Sequence, residues 1–254
     1  MIDEKLSKKA HLGESVAASI QSNGRYNNLF RLGLLFAIVP LYGFVHHPTA
    51  DYKRIELHGH PVYVSPEAVS SADLLDRVIA QLNSDLSMIH GVLPEAALTK
   101  VANVSFWIEH DNPDVPGLTF HPSIDWLRSH GYNTDKARCI EIGNLEHFLS
   151  WHAEQPFIVL HELSHAYQDR VLGNDNPTIR QAYDLAVSSH RYESVPYIRG
   201  GKLRAYALDN AAEYFAELSE AYFDKNDFYP FVRSELEEFD HAGFQMIEKL
   251  WVVR

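Results

Sequence analysis

The sequence predicts an α+β fold in which a small mixed sheet is followed by a helical half. Short runs of alternating or apolar residues, typical of strands, occur at 55–64, 104–108 and 139–142. Beyond Gly143 most segments instead repeat apolar residues at the spacing of buried or amphipathic helices. This order of strands first and helices later predicts an α+β protein.

Composition and charge narrow the class of protein. The 254 residues are 46% hydrophobic and 22% charged, which is typical of a folded globular chain. A net charge of -12 argues against a nucleic-acid partner, because such surfaces concentrate Lys and Arg. The single cysteine, Cys139, excludes an intrachain disulfide and a cysteine-based zinc knuckle.

The sequence predicts two parts, an amino-terminal segment at 1–50 and one folded domain at 51–254. The run at 32–45 reads LGLLFAIVPLYGFV, shorter than the roughly 20 residues of a spanning helix. Its length behind the basic Arg31 is typical of a secretory signal or membrane anchor, and a buried or docking helix is the alternative. The first interpretation favours a secreted, periplasmic or membrane-anchored protein over a cytoplasmic one, with membrane association through 32–45.

The most informative residues are His161-Glu162-Leu163-Ser164-His165, an H-E-x-x-H pattern within a segment that lacks Pro and Gly from 157 to 172. On a helix, positions i and i+4 lie on one face, so two imidazoles there can bind one metal ion. Imidazole nitrogen suits zinc, and the intervening Glu points toward the open side of the metal. The alternative is a pair of structural histidines on a buried helix.

A catalytic zinc site takes a third protein ligand. Gln168 and Val171 stand where the metzincin pattern needs Gly and His, which excludes that pattern. Asp184 lies at the sequence distance of the third ligand in the thermolysin pattern, but the N-E-x-x-S-D context of that pattern is absent around it. Neither route supplies a convincing ligand.

A better candidate is Glu213, within the predicted helix ALDNAAEYFAELSEAYF at 207–223, which Asp209 or Asn210 would cap. Glu213, Glu217 and Glu220 share one face of that helix by their i, i+4, i+7 spacing. The alternative for Glu213 is a solvated helix-face residue.

Together these motifs resemble the glutamate zincins (gluzincins), a group of metallopeptidases similar to anthrax lethal factor, the Pro-Pro endopeptidases and the Mlc titration factor peptidases. In that group H-E-x-x-H is followed downstream by a Tyr and, seven residues later, by a Glu in a context like E-[FY]-F-A-E. This chain has Tyr206 and then Glu213-Tyr214-Phe215-Ala216-Glu217. The resemblance covers about residues 155–225. It implies a zincin-like fold and one zinc ion (Zn2+) per chain, bound by His161, His165 and Glu213.

The resemblance also implies the activity, a zinc-dependent protease that hydrolyses peptide bonds in a peptide or protein substrate. Glu162 would act as general base on a zinc-activated water, and the Tyr206 hydroxyl would donate a hydrogen bond to the oxyanion. The alternative for Tyr206 is an ordinary core or rim tyrosine. The alternative is a catalytically idle zincin fold that binds peptides or a protein partner. Glu217 and Asp169 are candidates to hydrogen-bond the ligand histidines, and the alternative for each is an ordinary surface charge.

Three further predictions concern the surroundings of this site. The strand at 139–142 is expected to be the edge strand beside the cleft, where an extended substrate would pair with its main chain. The segment 198–204 is expected to form a hairpin with a Gly-Gly turn that overhangs the cleft. A last helix is expected to begin after Ser234 and to run toward Trp251.

Overall fold

A computed structural model describes residues 46–251, in which a five-stranded mixed sheet precedes a helical half. The α+β class predicted from the sequence is therefore correct. The run at 32–45 lies outside the described residues, so its role as signal or anchor stays a prediction. Within 46–251, no helix is both long enough and apolar enough to cross a membrane.

The sheet has the strand order β1-β2-β3-β5-β4. Strands β2, β3 and β5 run parallel, and the outer strands β1 and β4 are antiparallel to their neighbours. The turn between β1 and β2 is formed by His58 and Gly59, both with positive φ, which matches the twist of a tight hairpin. The strands are β1 (Lys53–Leu57), β2 (His60–Val64), β3 (Phe106–Ile108), β4 (Leu118–Phe120) and β5 (Ile140–Ile142).

The identity of the edge strand differs from the prediction. Strand β5 lies inside the sheet between β3 and β4, and the edge is β4. Because β4 has only three residues and follows a loop rich in Pro, it shows no readable strand pattern in the sequence. The predicted pairing of a substrate with the strand at 139–142 was therefore wrong as well, because β3 and β4 already pair with both sides of β5.

Ten α-helices are described in residues 46–251, and the longest, α2, covers one face of the sheet. Its apolar residues Val78, Leu82 and Leu86 are fully buried in the main core. The helices are α1 (Pro66–Ser70), α2 (Ala72–Val92), α3 (Glu95–Val101), α4 (Ile124–Ser129), α5 (Leu145–His152), α6 (Ile158–Tyr167), α7 (Pro177–Ser189), α8 (Ala211–Phe223), α9 (Arg233–Phe239) and α10 (His241–Trp251).

The predicted last helix is in fact two helices, α9 and α10, separated at Asp240. This buried carboxylate accepts hydrogen bonds from the hydroxyls of Tyr192 and Tyr214 and from the main-chain N–H of Gly243. A buried carboxylate must be hydrogen-bonded, and the break in the helix lets Asp240 reach these donors. The prediction of one continuous helix was wrong for this reason.

The sheet face opposite the main core carries a buried network of charged side chains. Lys136 Nζ lies 2.6 Å from Glu109 Oε1 and 3.0 Å from Glu141 Oε1. The other oxygen of Glu141 lies 2.7 Å from His121 Nε2, and Asn112 donates to Oε1 at 2.8 Å. Burial alone raises the pKa of Glu141, but Lys136 and His121 lower it more, to about 2.

We expect Glu141 to make stability depend on pH. Its folded pKa lies below the value of 4.5 expected when it is unfolded, so its stabilisation is complete above pH 4.5 and is lost as pH falls toward 2. In urea unfolding, the stability difference between the parent chain and Glu141→Gln should therefore shrink by up to about 3 kcal/mol between pH 6 and pH 2. The matched control is Glu146→Gln, at an exposed position of α5. A difference for Glu141→Gln that is the same at every pH would contradict this assignment.

Candidate metal centre

Helices α6 and α8 pack against each other and carry the two sequence motifs. Nine of the ten residues of α6 are buried, and only His165 is partly exposed. At the start of α8, the Asn210 side chain accepts hydrogen bonds from the N–H groups of Ala212 and Glu213. This cap, one of the two predicted, fixes the first turn of α8 and hence the position of Glu213.

The structure brings together the three residues predicted as metal ligands. Glu213 Oε2 lies 3.0 Å from His161 Nε2 and 3.3 Å from His165 Nε2. The ligand atoms of all three side chains lie within 4.8 Å of one another. The i, i+4 spacing on α6 and the first turn of α8 therefore converge on one point.

These separations fit a tetrahedral zinc site. Ligand atoms bound to zinc at about 2.0–2.2 Å lie roughly 3.3 Å from each other, close to the distances around Glu213 Oε2. The donor chemistry also fits, because a neutral imidazole has one N–H and cannot donate from both nitrogens. Both ring nitrogens of His161 face a carboxylate oxygen, so a ring with one N–H can donate to only one of them. A cation bound at Nε2 would take the place of the missing proton. In the described chain, the buried Nε2 of His165 has no hydrogen bond.

The other nitrogen of His161 is fixed by Glu220. His161 Nδ1 donates to Glu220 Oε1 at 2.6 Å, and that oxygen also accepts from Gln155 Nε2 at 3.1 Å. Glu217 Oε1 lies further from the same nitrogen, at 3.7 Å. The three glutamates do share one helix face, but the residue that orients His161 is Glu220 rather than the predicted Glu217.

Other acidic candidates do not join this group. Asp169 pairs with Arg138, whose Nε lies 3.0 Å from Asp169 Oδ2, so it does not hold a ligand histidine. Asp184, on α7, is exposed and does not belong to the converging ligand sets of residues 46–251. Of the acidic residues predicted as a third ligand, Glu213 is the one that converges with both histidines within residues 46–251.

Glu162 is fully buried on α6, next to the edge strand β4. Its Oε2 accepts a hydrogen bond from the main-chain N–H of Phe120 at 2.8 Å. This contact could not be predicted from the sequence, because a main-chain donor on a strand of three residues leaves no sequence signal. The contact links the candidate base to the sheet.

Tyr206 lies in a short 3-10 turn, Tyr206–Leu208, immediately before α8. Its ring centroid is 6.3 Å from that of His161. Burial, followed by the nearby charges of Glu213 and Glu162, raises the pKa of Tyr206 far above its usual value. The hydroxyl therefore keeps its proton at any ordinary pH and remains a hydrogen-bond donor.

The predicted hairpin at 198–204 is present with short strands, β6 (Val195–Pro196) and β7 (Lys202–Leu203). Gly200 and Gly201 both have positive φ, as the turn requires. Arg199 forms an ion pair with Glu154, which immediately precedes Gln155. The hairpin is therefore attached beside the residues that orient His161, while its overhang of a cleft stays a prediction.

Comparisons with known proteins give this chain no relatives. No protein-family model matches it, and searches of curated proteins and of solved structures find no match either. The functional interpretation therefore depends on the residues of the site and on their chemistry.

Proposed function

We propose that this protein is a zinc-dependent metallopeptidase with a zincin-like fold. The observation that carries the proposal is the convergence of His161, His165 and Glu213, with Glu162 on the same helix and Tyr206 beside it. An antiparallel edge strand packed against the H-E-x-x-H helix also supports it. A zinc ion held by these residues would supply an open coordination position that acidifies water and polarises a carbonyl group.

Glu162 is the general base in this proposal. Its carboxylate takes a proton from the attacking water and passes it to the nitrogen of the leaving amine. A buried carboxylate costs free energy unless it is hydrogen-bonded, and Phe120 supplies a donor. This hydrogen bond offsets part of the cost of burying the Glu162 carboxylate.

Tyr206 is the oxyanion donor in this proposal. The oxygen of the attacked carbonyl gains negative charge in the transition state, and a hydroxyl that keeps its proton can donate to it. The raised pKa of Tyr206 and its place before the Glu213 helix support this role. Its effect should appear in the transition state more than in substrate binding.

The alternative is a catalytically idle domain that binds peptides or a protein partner. Such a domain gains nothing from a buried Glu162 beside a complete ligand set, which favours the enzyme. Digestion of a peptide library by the purified protein tests the choice. We expect cleavage that a zinc chelator abolishes and that Glu162→Gln lowers by at least about 10²-fold while zinc stays bound. Peptide binding without cleavage by the zinc-loaded chain would favour the idle domain.

We expect about one zinc per purified chain, measured by atomic absorption after dialysis. Glu213→Ala removes the third ligand and should empty the site or weaken binding strongly. Asp184→Ala is the matched control, since it removes an exposed carboxylate and should keep the metal. Loss of zinc from Asp184→Ala but not from Glu213→Ala would overturn the ligand assignment.

Glu220 should tune zinc affinity without being a ligand. Glu220→Gln weakens the acceptor that fixes His161 Nδ1, and we expect zinc affinity to fall by about 10- to 100-fold in a competition titration with a chelator. Glu217→Gln alters a carboxylate on the same helix face that lies further from Nδ1, so its effect should be smaller. An equal or larger loss for Glu217→Gln would reverse this assignment.

For Tyr206→Phe, we expect zinc content, stability and KM to remain close to those of the parent chain. The kcat should fall by about 10²- to 10³-fold, as when one oxyanion donor is lost. Steady-state kinetics on a peptide found in the library digestion measures both constants. An unchanged kcat would show that Tyr206 is structural.

A further inference from the structure

The hydrogen bond from the Phe120 N–H to Glu162 involves the side chain that is the general base of the proposed reaction. Glu162 Oε2 and the Phe120 nitrogen lie 2.8 Å apart, and both residues are buried. Hydrogen bonds to ionised groups are stronger than those between neutral groups. The flexible side chain of Glu162, on α6, is thus hydrogen-bonded to the main chain of β4.

The register of the sheet explains why this N–H is available. Phe120 lies opposite Ile140 in the antiparallel β4–β5 pair. The main-chain bonds of this ladder occur one residue away, where His121 N donates to Cys139 O at 2.9 Å. Because hydrogen-bonded and non-hydrogen-bonded pairs alternate, the N–H of Phe120 points away from β5. It points to the side on which Glu162 lies.

The amide of Phe120 is also held in place by its neighbours. His121 O accepts from Arg138 N at 2.7 Å, and His121 Nε2 lies 2.7 Å from Glu141 Oε2 in the buried ion network. The end of β4 is therefore fixed by main-chain hydrogen bonds and by the buried contact of the next residue, His121, with Glu141. A donor held this firmly costs little free energy to orient when the reaction takes place.

We infer that the main-chain N–H of Phe120 is a positioning group for Glu162, which it holds in the orientation needed for proton transfer. The inference rests on the proposed peptidase function, and it assigns a role to the edge strand that does not depend on substrate pairing. Since small displacements of a catalytic group lower rates strongly, removal of this donor should act on kcat.

The first test asks whether the bond exists in solution and requires no activity. Amide hydrogen exchange, followed by NMR on the zinc-loaded chain, compares the parent with Glu162→Ala. We expect exchange at Phe120 to accelerate by about 10- to 100-fold, the equivalent of one hydrogen bond to a charged group. Leu118 is the internal control, since its N–H also points away from β5 in the register but does not meet Glu162. Equal acceleration at both amides, or none at Phe120, overturns the inference.

The second test removes the donor. Phe120→Pro deletes an N–H that the β4–β5 ladder does not use, a position where an edge strand tolerates Pro. Phe120→Leu is the matched variant, because it changes the side chain and keeps the N–H. We expect Phe120→Pro to keep zinc and KM while kcat falls about 10- to 100-fold below that of Phe120→Leu. Equal kcat values in the two variants overturn the inference.

The outcomes separate this inference from the proposed function. If the zinc-loaded parent chain cleaves no peptide, the proposed function fails and the positioning role fails with it. If the parent is active and Phe120→Pro matches Phe120→Leu, only the positioning role fails. If Phe120→Pro loses zinc because it folds poorly, the exchange rates of Phe120 and Leu118 decide the question.

Discussion

The contact of one carboxylate oxygen with two imidazole nitrogens constrains much of the helical half. Glu213 Oε2 lies close to His161 and His165, on a helix whose residues are all buried except His165. Polar rings inside a protein must find partners, because an unpaired buried polar group costs about 1–3 kcal/mol. The helix pair α6 and α8, the Asn210 cap and the Glu220 carboxylate place hydrogen-bond partners at both nitrogens of His161.

The sheet packs against α6, the helix that carries the two histidines. Strand β4 contacts α6, and its outward N–H meets Glu162. Behind β4, the Lys136 network adds paired charges to the second face of the sheet, which also carries the apolar cluster of Tyr52, Trp107 and Cys139. Removing one charged side chain from such a network leaves its partners buried without a counter-charge. The position of β4 therefore depends on buried electrostatics as well as on packing.

The sequence predicted those parts of the fold and site that depend on local spacing. The i, i+4 histidines, the helix face of Glu213 and the Asn210 cap follow from helix geometry alone. The edge position of β4 could not be predicted, because pairing in a sheet is a long-range property and this strand is three residues long. The choice of Glu220 over Glu217 was equally hidden, since it depends on how α8 is rotated against α6. The buried network joins residues from three separate segments, and each of its charges in isolation is typical of a surface residue.

The unequal burial of the two histidines has a kinetic consequence. His161 is fully enclosed and held on both nitrogens, whereas His165 is partly exposed and has no second partner at Nε2 among residues 46–251 beyond the Glu213 ion pair. An ion bound at this centre would therefore leave by a stepwise route that begins at His165, the more exposed of the two imidazoles. Dissociation would pass through a species held by His161 and Glu213 alone, so the lifetime of a bound ion would depend on how often the His165 ring turns outward.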